Sequence, residues 1–139
     1  MSKAKMKLNN VTVKYAKEED GKSVISALIT EDQQKAIFEK IIEEFGEDAA
    51  AEAKWIPAKE SDEYGIYVKA QTNYRVAFYE DGFESDTVSS VAELGKGAVV
   101  DLFLSIGESK FRREKGFTAF LSAVNVHKFG ELAKFNPFA

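Results

Sequence analysis

The chain has no cysteine among its 139 residues, and only two prolines, one histidine and one tryptophan. Without cysteine there is no disulfide framework, no thiolate nucleophile and no thiolate metal site, a composition that fits a reducing compartment. With His127 as the lone imidazole, a transition-metal site has to be built from several carboxylates. No apolar run approaches the roughly 20 residues of a membrane helix, so no membrane partner is expected. The cations Lys3, Lys5 and Lys7 have no apolar stretch behind them and do not make a signal peptide. A phosphate-binding glycine loop is also lacking, because Gly95-Lys96-Gly97 has none of the remaining positions. The acidic pairs Glu43-Glu44 and Glu47-Asp48 fall in a helical segment, and Asp101 is the one acid placed centrally in a strong strand. Converging carboxylates of a two-metal nuclease are therefore missing. His127, near a strand end, reads as a structural or surface group. The expectation is a protein with no catalytic residues, no metal and no cofactor.

What is present is enough for one ordinary domain with a real core, at 45% hydrophobic residues. The net charge of −4 is unevenly spread. Residues 1–30 carry six lysines and three acids, whereas residues 31–63 carry four lysines and eleven acids. Residues 64–97 come to −2, and residues 98–139 return to +2. The acidity is concentrated in one segment between two mildly basic ends, so the distribution says more about partners than the sum does.

Alternation organises most of the chain. Val11, Val13 and Tyr15 share one face of an extended run from Lys7 to Tyr15. Asp20-Gly21 then supplies a hairpin turn into a returning strand, Val24 to Ile29. Thr30-Glu31-Asp32-Gln33 is a capping box, and Ile37, Ile41 and Phe45 continue it as the apolar face of a helix. That helix is expected to cap one opening of a barrel. Gly46 can end it, with Glu47 to Lys54 continuing or restarting it before Trp55-Ile56-Pro57 stops it. Lys59 to Glu63 reads as a polar loop, Tyr64 to Thr72 as a strand, and Tyr74 to Glu80 as an extended run turning at Asp81-Gly82. Glu84 to Lys96 reads as a long connection, partly mobile by composition. Two further strands, Ala98 to Ile106 and Phe117 to His127, flank a link rich in cations. The fold class expected is mainly β with one helix: at least five strands in a small barrel or sandwich, carrying an amphipathic helix.

The candidate site follows from strand parity. On Ala98 to Ile106, the residues Val100, Leu102, Leu104 and Ile106 make an apolar face, which puts Phe103 on the other side among Asp101 and Ser105. Tyr67, Lys69 and Gln71 make a similar outward face on another strand. Aromatic rings on a wet sheet face suit base stacking, worth roughly 1–3 kcal/mol per base. The link adds Lys110, Phe111, Arg112, Arg113 and Lys115, interleaving cations and a ring on a hairpin tip that can close over a phosphate backbone as a flap. Other readings stand beside this one. A single exposed ring is ordinary protein surface, and a charged edge hairpin also guards against edge-to-edge aggregation.

Taken together, Tyr67-Val68-Lys69-Ala70, the approach Gly95-Lys96-Gly97, the strand Ala98 to Ile106, the basic tip and the run Gly116 to Phe129 resemble the bacteriophage single-stranded DNA-binding proteins of OB-fold type. The terminal Lys134-Phe135-Asn136-Pro137-Phe138-Ala139 is also similar to their tails. This resemblance covers residues 60–139, and by strand order loosely the rest. It implies a five-stranded OB-fold-like barrel over residues 1–130 with a short tail over 131–139. It implies binding of single strands without strong sequence preference, in replication, recombination or repair, in the cytoplasm of a phage host. Tyr67, Lys69, Phe103, Lys110, Phe111, Arg112, Arg113 and Lys115 then line the groove. The family's tail is often acidic, whereas residues 131–139 hold one acid and one lysine, which puts recruitment of replication or recombination proteins through it in doubt. A homo-oligomer, RNA as the ligand, and a non-catalytic β-rich interaction module remain open alternatives.

Overall fold

The computed structural model describes residues 4–63 and 65–130. The tail expected over 131–139 lies outside the described residues, as does Tyr64. Strand β1 (Ala4–Glu19) is 16 residues long and serves two partners by bending. Its register slips between Leu8 and Val11 and again between Val13 and Tyr15, with Asn10 at a φ of 53°. Such bulges let one strand turn a barrel corner. Asp20 and Gly21, at φ 53° and 79°, reverse the chain into β2 (Lys22–Leu28). Two consecutive residues at positive φ make the hairpin turn that follows the natural strand twist.

The connection from β2 runs through α1 (Glu31–Phe45) and a short α2 (Glu47–Glu52). The capping box forms as expected: Thr30 Oγ1 accepts from the Gln33 amide at 3.1 Å, and Gln33 Oε1 accepts from the Thr30 amide at 2.9 Å. Gly46, at φ 97°, separates the two helices, so the segment restarts rather than continues. Helix α1 lays Ile37 and Ile41 into the core.

Next come β3 (Ala58–Ser61) and β4 (Gly65–Thr72), antiparallel to each other. The polar loop expected at Lys59 to Glu63 is thus largely a strand. Lys, Glu and Ser have poor strand propensity, and it is pairing along β4 that makes them extended. After β4 the chain makes a small hairpin, β5 (Ala77–Glu80) and β6 (Phe83–Glu84).

The connection expected to be partly mobile, Glu84 to Lys96, is laid down in detail. Ser85 Oγ accepts from the amides of Thr87 and Val88, and Ser90 Oγ accepts from Ala92 ahead of a single 3-10 turn, Val91–Glu93. Val88, Val91 and Leu94 are buried. The serines that suggested looseness act instead as local caps for the backbone.

The chain ends its described course in β7 (Val99–Phe111) and β8 (Glu114–Lys128). Both strands run further than alternation indicated, so the cationic link shrinks to a two-residue turn, Arg112-Arg113. Beyond Ile106 and before Phe117 the strands leave the core, and the apolar alternation that marks a buried face stops with it.

Pairing closes these strands into a ring: β1 with β2, β2 with β4, β4 with β8, β8 with β7, and β7 with β1. Four contacts are antiparallel, and the β4–β8 contact is parallel and only two residues long, Ala70 with Ala119 and Gln71 with Phe120. This is the OB-like arrangement that was expected. Inside it lie Val11, Val13, Ile25, Val68, Val100, Leu102, Leu104, Ile106 and Val124.

Where β4 and β8 diverge, the segment before β3 fills the gap. The Lys54 amide donates to the Lys115 carbonyl at 2.8 Å, Phe117 to the Trp55 carbonyl at 2.9 Å, and Lys69 to the Pro57 carbonyl at 3.1 Å. Trp55 lies flat against Gly116, and its indole N–H donates to Ser109 Oγ at 3.0 Å. A Cβ at Gly116 falls 2.2 Å from the Trp55 ring. Gly116→Ala is therefore expected to displace the indole and destabilise the protein by about 1–3 kcal/mol. Urea denaturation followed by Trp55 fluorescence checks this; an unchanged midpoint refutes the packing of Trp55 on Gly116.

Candidate nucleic-acid interface

On β4 the residues Val68, Ala70 and Thr72 are buried, which turns Tyr67, Lys69 and Gln71 outward as parity required. Their neighbours on β2 are Leu28, Ser26 and Val24 in register. The Lys14 ammonium sits 5.2 Å from the Tyr67 ring centroid, so a cation already covers part of that ring. Lys69 is exposed. Beside it Lys59, Trp55, Ile56, Pro57 and Thr118 shape a notch of about 150 Å³ over the gap between β4 and β8. Trp55 reads in the sequence only as a helix stop, and it is the fold that brings its ring beside Lys69.

The β7–β8 tip stands next to this notch, because Gly116 and Lys115 are the residues that Trp55 and Lys54 hold. Lys110, Phe111, Arg112, Arg113 and Lys115 are all exposed, Phe111 by 65%. Arg112 takes a φ of 60°, an unusual choice for a long side chain. Its guanidinium lies 5.3 Å from the Phe111 ring centroid. The expected flap is thus a tip on a clamped base, since Trp55 fastens the strands at Ser109 and Gly116.

Phe103 lies elsewhere. It faces outward from β7, half-buried, with the Lys7 ammonium 5.1 Å from its ring centroid. Lys5, Tyr79, Ser105 and Ser122 join it around an open depression of about 570 Å³. Arg112 is nine positions further along the chain than Phe103, roughly 30 Å at about 3.3 Å per residue. Tyr67 and Lys69 thus fall with the basic tip, and Phe103 falls apart from both. A row of paired residues joins the two regions across the strands: Gln71 beside Phe120, and Phe120 beside Ser105. Between them Lys22, Gln71, Tyr74 and Phe120 border a third depression, with Tyr74 83% exposed. Tyr79 and Tyr74 belong to the extended run of the sequence, but nothing in its pattern tells which surface they reach.

Asp101 shares the outward parity of Phe103 and yet is only 4% exposed. Its carboxylate accepts from the Asn10 amide at 2.9 Å and from Asn125 Nδ2 at 3.1 Å. His127 Nε2 lies 2.8 Å away and the Lys7 ammonium 3.9 Å away. Burial pushes this carboxyl up, but the hydrogen bonds from Asn10, Asn125 and His127 outweigh it and hold the group below the usual carboxylate range. His127 is thereby engaged as a partner of Asp101, and its Nδ1 sits 3.4 Å from Asp81. Asn125 in turn accepts from the Gly82 amide at 2.8 Å, so the cluster anchors the β5–β6 turn.

Solved structures share this ring. The single-stranded DNA-binding protein from bacteriophage Enc34 superposes with a TM-score of 0.68 at 19% identity, over 96% of this chain and 86% of that one. The same phage protein in complex with ssDNA gives 0.67 at 17% identity, over 94% and 89%. The protein gp2.5, a single-stranded DNA-binding protein encoded by bacteriophage T7, gives 0.70 at 15% identity, over 97% and 90%. The chain has their fold. The resemblance seen over residues 60–139 therefore extends, as architecture, to nearly the whole chain. No family model matches the sequence, and no curated protein does.

Because the Asp101 carboxyl is depressed in the folded state, it contributes stability that is present above its unfolded pKa of about 3.9. That contribution is lost as pH falls through the lower folded value. Urea midpoints taken from pH 7 down to pH 2 are expected to fall more steeply for the native protein than for Asp101→Asn. Parallel curves contradict the assignment.

Proposed function

We propose that this chain binds single-stranded DNA without strong sequence preference and without catalysis. The observation that carries the reading is the joining of Tyr67, Lys69 and the Trp55 notch to the tip Lys110 to Lys115, on the outer surface of an OB-like ring. In this fold the face of the second and third ring strands, here β2 and β4, and the loops beside it are where oligonucleotides bind. The two phage proteins that share the architecture are named for single-stranded DNA binding.

Chemically, the arrangement suits a strand rather than a duplex. Rings offer stacking to any base, and lysine and arginine offer charge to any phosphate. The net charge of −4 does not oppose this, because the eleven acids of residues 31–63 belong largely to the helical connection. Arg112 at positive φ supports a binding role, since a glycine there would relieve the backbone. On this reading, residues 1–130 form the binding domain and residues 131–139 a short tail. The setting is then replication, recombination or repair in a host cytoplasm. Among the described residues no helix is long and apolar enough to cross a membrane.

Fluorescence anisotropy with labelled oligo-dT tests the reading. Binding is expected at low salt, weakening with a log–log slope of about −0.7 per neutralised phosphate. Duplex DNA should bind far more weakly, and oligo-U of equal length separates DNA from RNA preference. Absence of oligo-dT binding at low salt sinks the proposal. Arg112→Gly, which removes one cation and the strained φ together, should keep or raise thermal stability while reducing the salt slope by about 0.7. A variant that binds like the native protein removes Arg112 from the interface.

A further inference from the structure

The depression around Phe103 lies outside the β2–β4 face, on strands β1, β7, β8 and β5. Its rings are Phe103 and Tyr79, and its cations are Lys5 and Lys7, both exposed. Ser105 and Ser122 supply hydroxyls, and among the described residues no acidic side chain lines it. Glu84 pairs with Tyr79 across β5 and β6, and buried Asp101 holds Lys7 at 3.9 Å, where the ammonium also stands over the Phe103 ring. This chemistry, a ring pair with cations and neutral donors, is what a base and its phosphate require.

We infer that this depression is a second contact for the same single strand, which runs from the basic tip along the β4–β8 seam and ends at Phe103 and Tyr79. The inference rests on the single-stranded DNA reading above. Two features support it: the charge of the depression, and its continuity with the first region. Ser105 of the depression pairs with Phe120, and Phe120 pairs with Gln71, which borders both the Lys69 notch and the Tyr74 depression. A path of roughly 30 Å holds about nine stacked nucleotides at about 3.4 Å each. Binding therefore has a length threshold: a strand shorter than the path engages one region, and a longer one engages both, the second as an intramolecular step.

Anisotropy titrations with a four-nucleotide and a sixteen-nucleotide oligo-dT test this on the full chain. Tyr79→Ala with Phe103→Ala should weaken the longer strand roughly tenfold or more and leave the shorter within about twofold. Should that pair disturb folding, Lys5→Gln with Lys7→Gln serves instead. It is expected to lower the salt slope by about 1.4 with the longer strand only. Equal loss on both lengths, or loss on neither, overturns the second contact while leaving the function intact. If the native protein binds neither length, the functional reading fails first, and the native titration alone shows it.

Discussion

Everything in this fold hangs on a parallel contact two residues long. Ala70 and Ala119 face each other inside the ring where β4 meets β8, both fully buried, and Gln71 and Phe120 face outward at the same level. Small side chains on the inner side let two strands from distant parts of the chain approach without a wedge between them. A larger residue at either position has no space to occupy in a close-packed interior. Because the contact is so short, the strands separate just below it, and Trp55 to Pro57 lies in the opening with its own backbone hydrogen bonds to each side. The ring is thus closed by a strand pairing above and by a borrowed segment below.

That arrangement also distributes chemistry. The segment closing the gap carries the one tryptophan, whose ring rests on Gly116 at the root of the β7–β8 hairpin. The hairpin therefore projects its cations from a rigid root, beside the exposed face of β4. Tyr67 and Phe120 turn outward from the two strands of the seam, with Lys69 and Lys22 nearby, whereas Phe103 lies further off on β7 with Lys5 and Lys7. The acids of the helical connection sit in a different part of the chain, so the overall negative charge and the local basic surface coexist.

Local chemistry was legible in the sequence wherever it decided its own structure. Asp20-Gly21 and Asp81-Gly82 turn as read, Thr30 and Gln33 cap the helix reciprocally, and alternation placed Tyr67 and Lys69 outward correctly. What depended on distant partners was not. Ala58–Ser61 is a strand only because β4 lies beside it, and the residues after Glu84 are fixed by Ser85 and by three buried apolar side chains, Val88, Val91 and Leu94, too few to mark an element. Parity could say that Phe103 points out, but not that β8 and several residues of strand come between it and Tyr67. It also put Asp101 outward without revealing that Asn10, Asn125 and His127, from two other strands, cover it.

The order in which the ring closes has a consequence for synthesis. Of the described strands β8 is the last to leave the ribosome, yet it supplies a partner to β7, β4 and β5, while β1 pairs Ala4 with Ile106 about a hundred residues later. Hardly any of the ring can form from the N-terminal half beyond the β1–β2 hairpin and its partner β4. Contacts of such sequence separation are slow to form and leave apolar strand faces uncovered in the meantime. A nascent chain therefore emerges without a finished surface, and the aromatic seam comes into being in a single late step, when β8 enters the space that β4 and β7 have left for it.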